Sequence, residues 1–457
     1  MWSPTGGLLS PTLFNIFLED LPRYLNSKFG VTISDTQICH LLQADDLVLM
    51  SETEYGLQQL IKGLERFCNR WHIILNLQKT KIMIFNKRYI VGPQSNIYIY
   101  NGNPIEETDS YKYLGAIFTT QNKTFQSNYK NIRTNALKAI GSLRQKLKTN
   151  VRKYTSFYLL MRFFDSYVMP ILDYGAEVWF QGTQIKELEF VQLWYLKTTL
   201  GIKSQTSNMI VYGDTGRFPL LLRQQDIALK YWDRLRQMDN SKPLFKIYSD
   251  LQDLHNDGHR TWFTKVIDII QPHQNAYGGL QSLISNHDKS IYRETKSIRY
   301  ETYTQNYFCA INNVHLHPIL RTYSKFKTTP RCEPHLLIPI NIKYQKALSR
   351  FRSSSHHLRI ETGRHTVPIT PLLNRICQHC SSLEIDDEIH MLLRCEFHVD
   401  ERLQLFSELP AEFMCVDQDN LFKKLLNNSN ESVIRSIGKY VHTCFERRNH
   451  TDEENDL

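Results

Sequence analysis

The chain of 457 residues carries 55 Lys and Arg against 46 Asp and Glu, a formal net charge of +9, with 41% hydrophobic and 22% charged residues. That length allows roughly two to four domains, and the composition is that of a globular chain rather than a disordered or fibrous one. Neither a run of 18 or more apolar residues nor the basic-then-apolar layout of a signal peptide occurs, and most of the nine cysteines stand singly; the expectation is reduced thiols, no membrane span and an intracellular chain, nuclear or cytoplasmic.

The first 120 residues mix helix and strand signals. Ser10-Pro11 reads as a helix N-cap followed by Pro at the first helical position, with Leu13, Phe14, Phe17, Leu18 and Leu21 repeating behind it at helical spacing. "HLLQADDLVLM" (His40 to Met50) is two short apolar runs pivoting on Asp45 and Asp46, the pattern of a β-hairpin. Ser51 and Glu54 have capping-box spacing and open an amphipathic helix with Leu57, Leu60, Ile61, Leu64, Phe67, Cys68 and Trp71 on one face. "KTKIMIF" and "NIYIYNG" read as strands, the second ending in a turn at Asn101-Gly102. This is an α+β region of helix, hairpin, helix and strands.

From about 121 to 235 the pattern is mostly helical, and the charge is concentrated there. Between Ser110 and Phe164 no Asp or Glu occurs, yet eleven Lys and Arg do, so the rest of the chain sums to −2 (9 minus 11). All of the basic excess lies in one segment, the footprint of a polyanion-binding surface, with a merely solvated basic helix face as the plainer alternative. Residues 236 to 335 lose periodicity and read as an irregular connector with a few helices. A last unit from 336 to 457 ends in an acidic tail. It contains "CQHCSSLEIDDEIHMLLRC", which offers Cys377, Cys380, His390 and Cys395 as a C-x2-C-x9-H-x4-C array. Two cysteines two apart present both sulfurs to one ion, and the later His and Cys can complete a tetrahedron around a structural Zn²⁺. His398 competes with His390 for the third place, His379 less well, and three buried thiols beside a helix-face histidine are the other explanation.

Asp45 and Asp46 can be read in two ways. Asp suits tight turns on its own account, and a hairpin that presents two carboxylates can also hold Mg²⁺. A nucleotide hydrolase is excluded by the lack of a G-x-x-x-x-G-K-[ST] loop. Context favours the metal. "TGGLLSPTLFNIFLEDL" followed closely by "LLQADDLVLM" and "NLQKTKIMIF" resembles the palm of reverse transcriptases from non-LTR (LINE-type) retrotransposons. The resemblance continues through Tyr113-Leu114-Gly115, "MPILDYGAEVW", "LKTTLGI" and "VYGDTGRFPL", and again around the Cys/His array.

The resemblance implies a partial polymerase palm over 1–120, a basic helical thumb and post-thumb over 121–235, the connector over 236–335 and a zinc module over 336–457. It implies two-metal nucleotidyl transfer with Asp45 as principal Mg²⁺ ligand, Asp46 as auxiliary and Lys79 beside the pyrophosphate. Gly6, Ser10, Pro11, Tyr113, Leu114 and Gly115 would position template and primer. Lys130, Arg133, Lys138, Arg144, Lys146 and Lys148 would meet the phosphate backbone, so that the partners are an RNA template, the RNA/DNA duplex and, for a completed enzyme, dNTP. The oligomeric state is left open.

Departures from the family pattern are Gln43, where an aromatic residue precedes A-D-D, and Thr5 and Gly7 around the glycine-rich turn. The strand bearing the family's first catalytic aspartate belongs before that turn, and neither Asp20 nor Asp35 stands in its place. The expectation is a truncated reading frame that is inactive as a polymerase by itself. A non-catalytic nucleic-acid-binding protein derived from such an element, using the basic helix and the zinc module, is the rival expectation.

Overall fold

The computed structural model describes residues 10–85, 98–120, 125–147, 156–180, 185–273, 291–313, 318–414 and 417–455. They group into two units, one holding the described residues up to Asn128 together with those from Lys230 to 273, the other Tyr129 to Leu229 and the described residues from 291 onward.

In the first unit helix α1 (Ser10–Leu18) leads into a one-turn helix at Leu21–Tyr24. Two antiparallel hairpins follow, β1 (Val31–Ile33) with β2 (Thr36–Ile38) and β3 (His40–Gln43) with β4 (Asp46–Leu49). Helix α2 (Glu54–Trp71) buries Leu60, Ile61, Leu64, Phe67 and Cys68 against Leu18, Leu21, Leu25, Cys39, Tyr98 and Tyr100. The cap differs from the expected Ser51–Glu54 box. Thr53 adopts extended backbone and its hydroxyl accepts the Gly56 N–H at 3.0 Å, while Ser51 Oγ donates to the Thr53 carbonyl. Glu54 therefore stands in the first helical turn, where its charge suits the helix dipole. A Cβ on Gly63 would lie 2.4 Å from the Tyr24 carbonyl oxygen, so only glycine lets the Leu21–Tyr24 turn rest on α2.

The remaining strands also pair in twos. β5 (Lys81–Ile82) runs parallel to β8 (Glu106–Glu107), β6 (Ile99–Tyr100) pairs with β7 (Asn103–Pro104) around the expected Asn101-Gly102 turn, and β9 (Ser110–Tyr113) pairs with β10 (Ala116–Thr119). Within "KTKIMIF" only Lys81 and Ile82 form a strand, shorter than its alternation predicts. The segment expected as an irregular connector holds helices at Pro243–Asn256, Trp262–Ile270 and Ile291–Asn312. The first two join the first unit through aromatic packing. The Trp232 indole donates to the Tyr248 hydroxyl at 3.1 Å, and Tyr248 meets Phe263 edge-on. Lys246 reaches Asp35 at 2.6 Å. Trp262–Ile270 buries Phe263, Val266, Ile267, Ile269 and Ile270, and the rings of Tyr248 and Phe263 add area to that apolar contact.

The second unit is helical. α3 (Gln126–Lys146), most of which belongs here, precedes a helix at Phe157–Phe163 that widens into a π turn at Phe164–Val168. α4 (Lys186–Leu200) is followed by Asn208–Thr215 and α5 (Leu220–Arg236), which passes between the units. α6 (Ile342–Arg352) packs against the terminal helix α7 (Glu431–Asn455). Their core runs from Ile210, Tyr307 and Tyr323 to Phe422, Val433, Ile437 and Cys444. Inside it Arg352 forks onto both Asp214 oxygens at 3.0 and 3.1 Å and onto Glu333 at 2.9 Å, while Lys327 pairs with Glu333. Buried charges survive because each is paired. No helix among the described residues is long and apolar enough to cross a membrane.

Candidate functional site

Pairing of Gln43 with Asp46 leaves Ala44 and Asp45 as a two-residue turn, with Ala44 in the left-handed region at φ 53°. Asp45 sits at the tip and Asp46 opens the returning strand, and both are exposed. The second hairpin turns at Leu114 and Gly115, at φ 46° and 83°, a primed turn whose second position suits glycine. Its Tyr113 has a phenol pushed above the usual range, first by burial and then by the negative charge of Asp46. The charge of Asp46 is thus felt at the Tyr113 phenol, at the start of the Tyr113-Leu114-Gly115 turn. Asn128 clamps β10 from the edge, donating to the Ile117 carbonyl and accepting its N–H, each at 2.7 Å.

Lys79 lies in a turn rather than on the expected strand. Asn76 closes that turn, its side-chain oxygen accepting the Lys79 N–H at 3.2 Å, and Tyr111 donates to the Lys79 carbonyl at 3.0 Å. The side chain of Lys79 is exposed, whereas Lys81 pairs with Glu106 at 2.5 Å. Ser10 and Pro11 open α1. Gly6, with Thr5 and Gly7, lies outside the described residues. Asp20 pairs with Arg23 at 2.9 Å, and Asp35 is held below the usual carboxylate range by Lys246. Among the described residues no third His, Cys, Asp or Glu joins Asp45 and Asp46 in a metal-binding group. Two carboxylates by themselves do not complete a two-metal site.

The basic residues of α3 divide by helical phase. Tyr129, Ile132, Ala136 and Ile140 form the buried stripe. Arg133 and Arg144 flank it and turn onto α4. Arg133 pairs with Glu187 and lies 4.7 Å from the Phe190 ring, and Arg144 lies 4.2 Å from the Trp194 ring. Lys130, Lys138 and Lys146 are exposed. Lys148 lies outside the described residues.

At the C-terminal end Cys377, Cys380, His390 and Cys395 converge, with ligand atoms all within 4.8 Å of one another. A short hairpin carries the first two, closed by the Cys377 N–H to the Glu384 carbonyl at 2.9 Å and the Asp386 N–H to the Arg375 carbonyl at 2.9 Å. The other two are joined by a π turn, His390–Arg394, in which Cys395 N–H reaches the His390 carbonyl at 2.8 Å. Residues five apart on an α-helix diverge by about 140°; the wider π turn returns them to the same side. Cys377 and Cys395 sulfurs are 3.9 Å apart, and Cys380 sulfur is 3.4 Å from His390 Nε2. Tetrahedral Zn²⁺ with bonds of about 2.3 Å to sulfur and about 2.0 Å to nitrogen has edges of roughly 3.8 and 3.5 Å. The donor set fits such an ion.

His390 Nδ1 lies 3.0 Å from Glu384 Oε2, the carboxylate support that orients a metal-binding imidazole. His398, the rival ligand, is committed elsewhere, with its Nε2 accepting from Arg448 Nε at 3.0 Å. Sequence reasoning missed Glu384, Asp386 and Arg448. Glu384 and Asp386 stand in the acidic run before His390, where no ligand spacing singles them out, and Arg448 left no local signal.

Residues 2–118 match the reverse transcriptase (RNA-dependent DNA polymerase) family. The chain is 24% identical over 247 residues, 52% of its length and 26% of the relative's, to an RNA-directed DNA polymerase from mobile element jockey of Drosophila melanogaster. It is 32% identical over 149 residues, 31% of its length and 13% of the relative's, to the Pol polyprotein from type-2 retrotransposable element R2DM of the same fly. A Pol polyprotein from a type-1 R2 element of Nasonia vitripennis is 30% identical over 128 residues, 25% of this chain and 12% of the relative. This chain is a relative of the non-LTR retrotransposon reverse transcriptases. It spans about a quarter or less of the length of these three relatives. The family match takes in both hairpins and α2, so the Asp45–Asp46 turn and the Tyr113-Leu114-Gly115 turn fall within the reverse-transcriptase segment.

Proposed function

We propose that the chain supplies the aspartate hairpin, the primer-side hairpin and a basic nucleic-acid-binding helix of a non-LTR reverse transcriptase, together with a structural zinc module. The observation that carries this reading is that the Asp45–Asp46 turn and the Tyr113-Leu114-Gly115 turn both form, in chain order, inside the segment that matches the family. In that reading Asp45 and Asp46 contribute carboxylates to Mg²⁺ for RNA-directed DNA synthesis, and Lys79, held out by the Asn76 turn, faces the leaving pyrophosphate. Because the pair lacks a third carboxylate among the described residues, polymerisation requires a complementary palm segment, and the chain by itself binds primer and template without extending them. Exposed Leu13, Ile16 and Leu41 on α1 and β3 support a covering segment there, since apolar side chains of a palm are ordinarily packed.

Assay of the purified chain with an RNA template, a DNA primer, dNTPs and Mg²⁺ is expected to give binding and no extension. Extension that is lost in Asp45→Ala would overturn the inactivity. A binding-only role is the second reading, favoured by the three exposed lysines of α3 and by the incomplete carboxylate set. For the C-terminal array, Zn²⁺ is the ion the three thiols and one imidazole favour over a hard, oxygen-seeking cation. The bound metal would be structural, crosslinking the knuckle to the π turn. Elemental analysis of the purified protein is expected to find about one zinc per chain, and its absence would remove this part of the reading.

A further inference from the structure

Arg448 stands 71 residues from Cys377, on α7, and its side chain is buried in the metal module. One terminal nitrogen, Nη2, lies 3.8 Å from Cys377 sulfur and 3.7 Å from Cys395 sulfur. Nη1 donates to Asp386 Oδ1 at 2.8 Å, and Nε donates to His398 Nε2 at 3.0 Å. Each nitrogen of the guanidinium thus has a partner, and Nη2 points at the two sulfurs.

Three thiolates and a neutral imidazole around a divalent ion carry one net negative charge. Burying that charge without compensation is costly. A thiol is a weak acceptor and a thiolate a strong one, so a buried guanidinium aimed between two sulfurs complements the ionised, metal-loaded state. The terminal helix divides at the same place. Val433, Ile434, Ile437, Tyr440, Val441 and Cys444 anchor its first turns in the apolar core. Among residues 445–450 Arg448 is the buried side chain, while Phe445 packs partly buried against the core and Arg447 pairs with Glu401.

We propose that Arg448 is the buried counter-charge of the metal thiolates, a positioning residue that makes metal loading and docking of the last turns of α7 a single event. The proposal rests on the zinc reading above and goes beyond it by assigning a residue outside the ligand array. When metal leaves, the two sulfurs are no longer held together in front of Nη2, and the helix beyond Cys444 loosens while its first turns hold.

The test uses the full chain. Zinc affinity is measured by competition with a chromophoric chelator for the wild type, Arg448→Gln, Arg448→Lys and, as a control on the same helix, the exposed Arg435→Gln. Loss of an outer partner of a metal ligand typically weakens binding about 10- to 100-fold. That loss is expected for Arg448→Gln, a smaller one for Arg448→Lys and none for Arg435→Gln. In the cobalt-loaded protein the thiolate charge-transfer band is expected at lower energy in both Arg448 variants, because a donor removed from sulfur raises its lone pairs. Should Arg448→Gln fail to fold, the band position in Arg448→Lys decides. Chelation of the wild type is expected to speed hydrogen exchange at amides 445–450 and leave 433–441 protected. Zinc held with unchanged affinity and an unmoved cobalt band in the variants would overturn this inference while the metal reading stands. A wild type without zinc would overturn both.

Discussion

At the Cys/His cluster one backbone hydrogen bond, from Cys395 N–H to the His390 carbonyl, brings together two side chains that an ordinary helical turn would separate. The ligand identities were legible in the sequence because C-x2-C and H-x4-C are local patterns. The choice between His390 and His398 was not, because it depends on Arg448, which lies 50 residues beyond His398. Glu384 belongs to the same scale. It orients His390 through Nδ1 at 3.0 Å, so Glu384→Gln is expected to weaken zinc binding about tenfold without removing it. Chelator competition reads this directly, and an affinity equal to the wild type would show that the carboxylate is incidental.

Helix α3 shows why a basic segment cannot be converted residue by residue into a binding face. Its charge was visible as an acid-free stretch, yet Arg133 and Arg144 pack on the rings of α4 while Lys130, Lys138 and Lys146 meet solvent. The arginines flank the buried stripe, and their planar, weakly hydrated heads suit stacking on aromatics. Replacing the three lysines by Gln is expected to weaken RNA/DNA binding and to reduce the slope of log affinity against log salt by about 2–3. Arg144→Gln is expected instead to cost about 0.5–2 kcal/mol in urea unfolding, with little change in that slope. A salt slope unmoved by the triple substitution would remove α3 from the interface. The short helices at Pro243–Asn256 and Trp262–Ile270 carry the same lesson in the fold. Tyr248 and Phe263 lie on the helices themselves, yet Trp232, which donates to the Tyr248 hydroxyl, lies on α5, a pairing that no local pattern announces.

Across the second unit the buried charges set a pH dependence. Burial and the neighbouring Arg352 push His335 down to about 3, so it stays neutral in the fold. An unfolded histidine titrates near 6.5, so below that pH the unfolded chain binds a proton the folded chain does not, and stability falls from about pH 6.5 toward 3. Asp214 adds a lower window. Burial would raise its pKa, but Arg352 outweighs burial and holds it at about 2. Its contribution is present above about pH 4 and is lost as the pH falls toward 2. Urea unfolding at pH 7, 5.5 and 4.5 is expected to show a falling midpoint for the wild type and a shallower fall for His335→Gln. Parallel declines would show that His335 is not the group responsible.

The sequence by itself determined the resemblance to the non-LTR reverse transcriptases, the turn that presents Asp45 and Asp46, the stripe buried by α2, and the three cysteines of the Cys/His cluster. Each of these is written in residues a few positions apart, within the reach of a hairpin, a helical turn or a knuckle. Only the tertiary structure decided which cations of α3 face solvent, that Thr53 rather than Ser51 caps α2, and that His398 serves Arg448 instead of a metal. It also brought Arg448 onto two sulfurs more than fifty residues away. Buried charge and large rings take whatever partner the packed core brings beside them, and that proximity has no counterpart in local spacing.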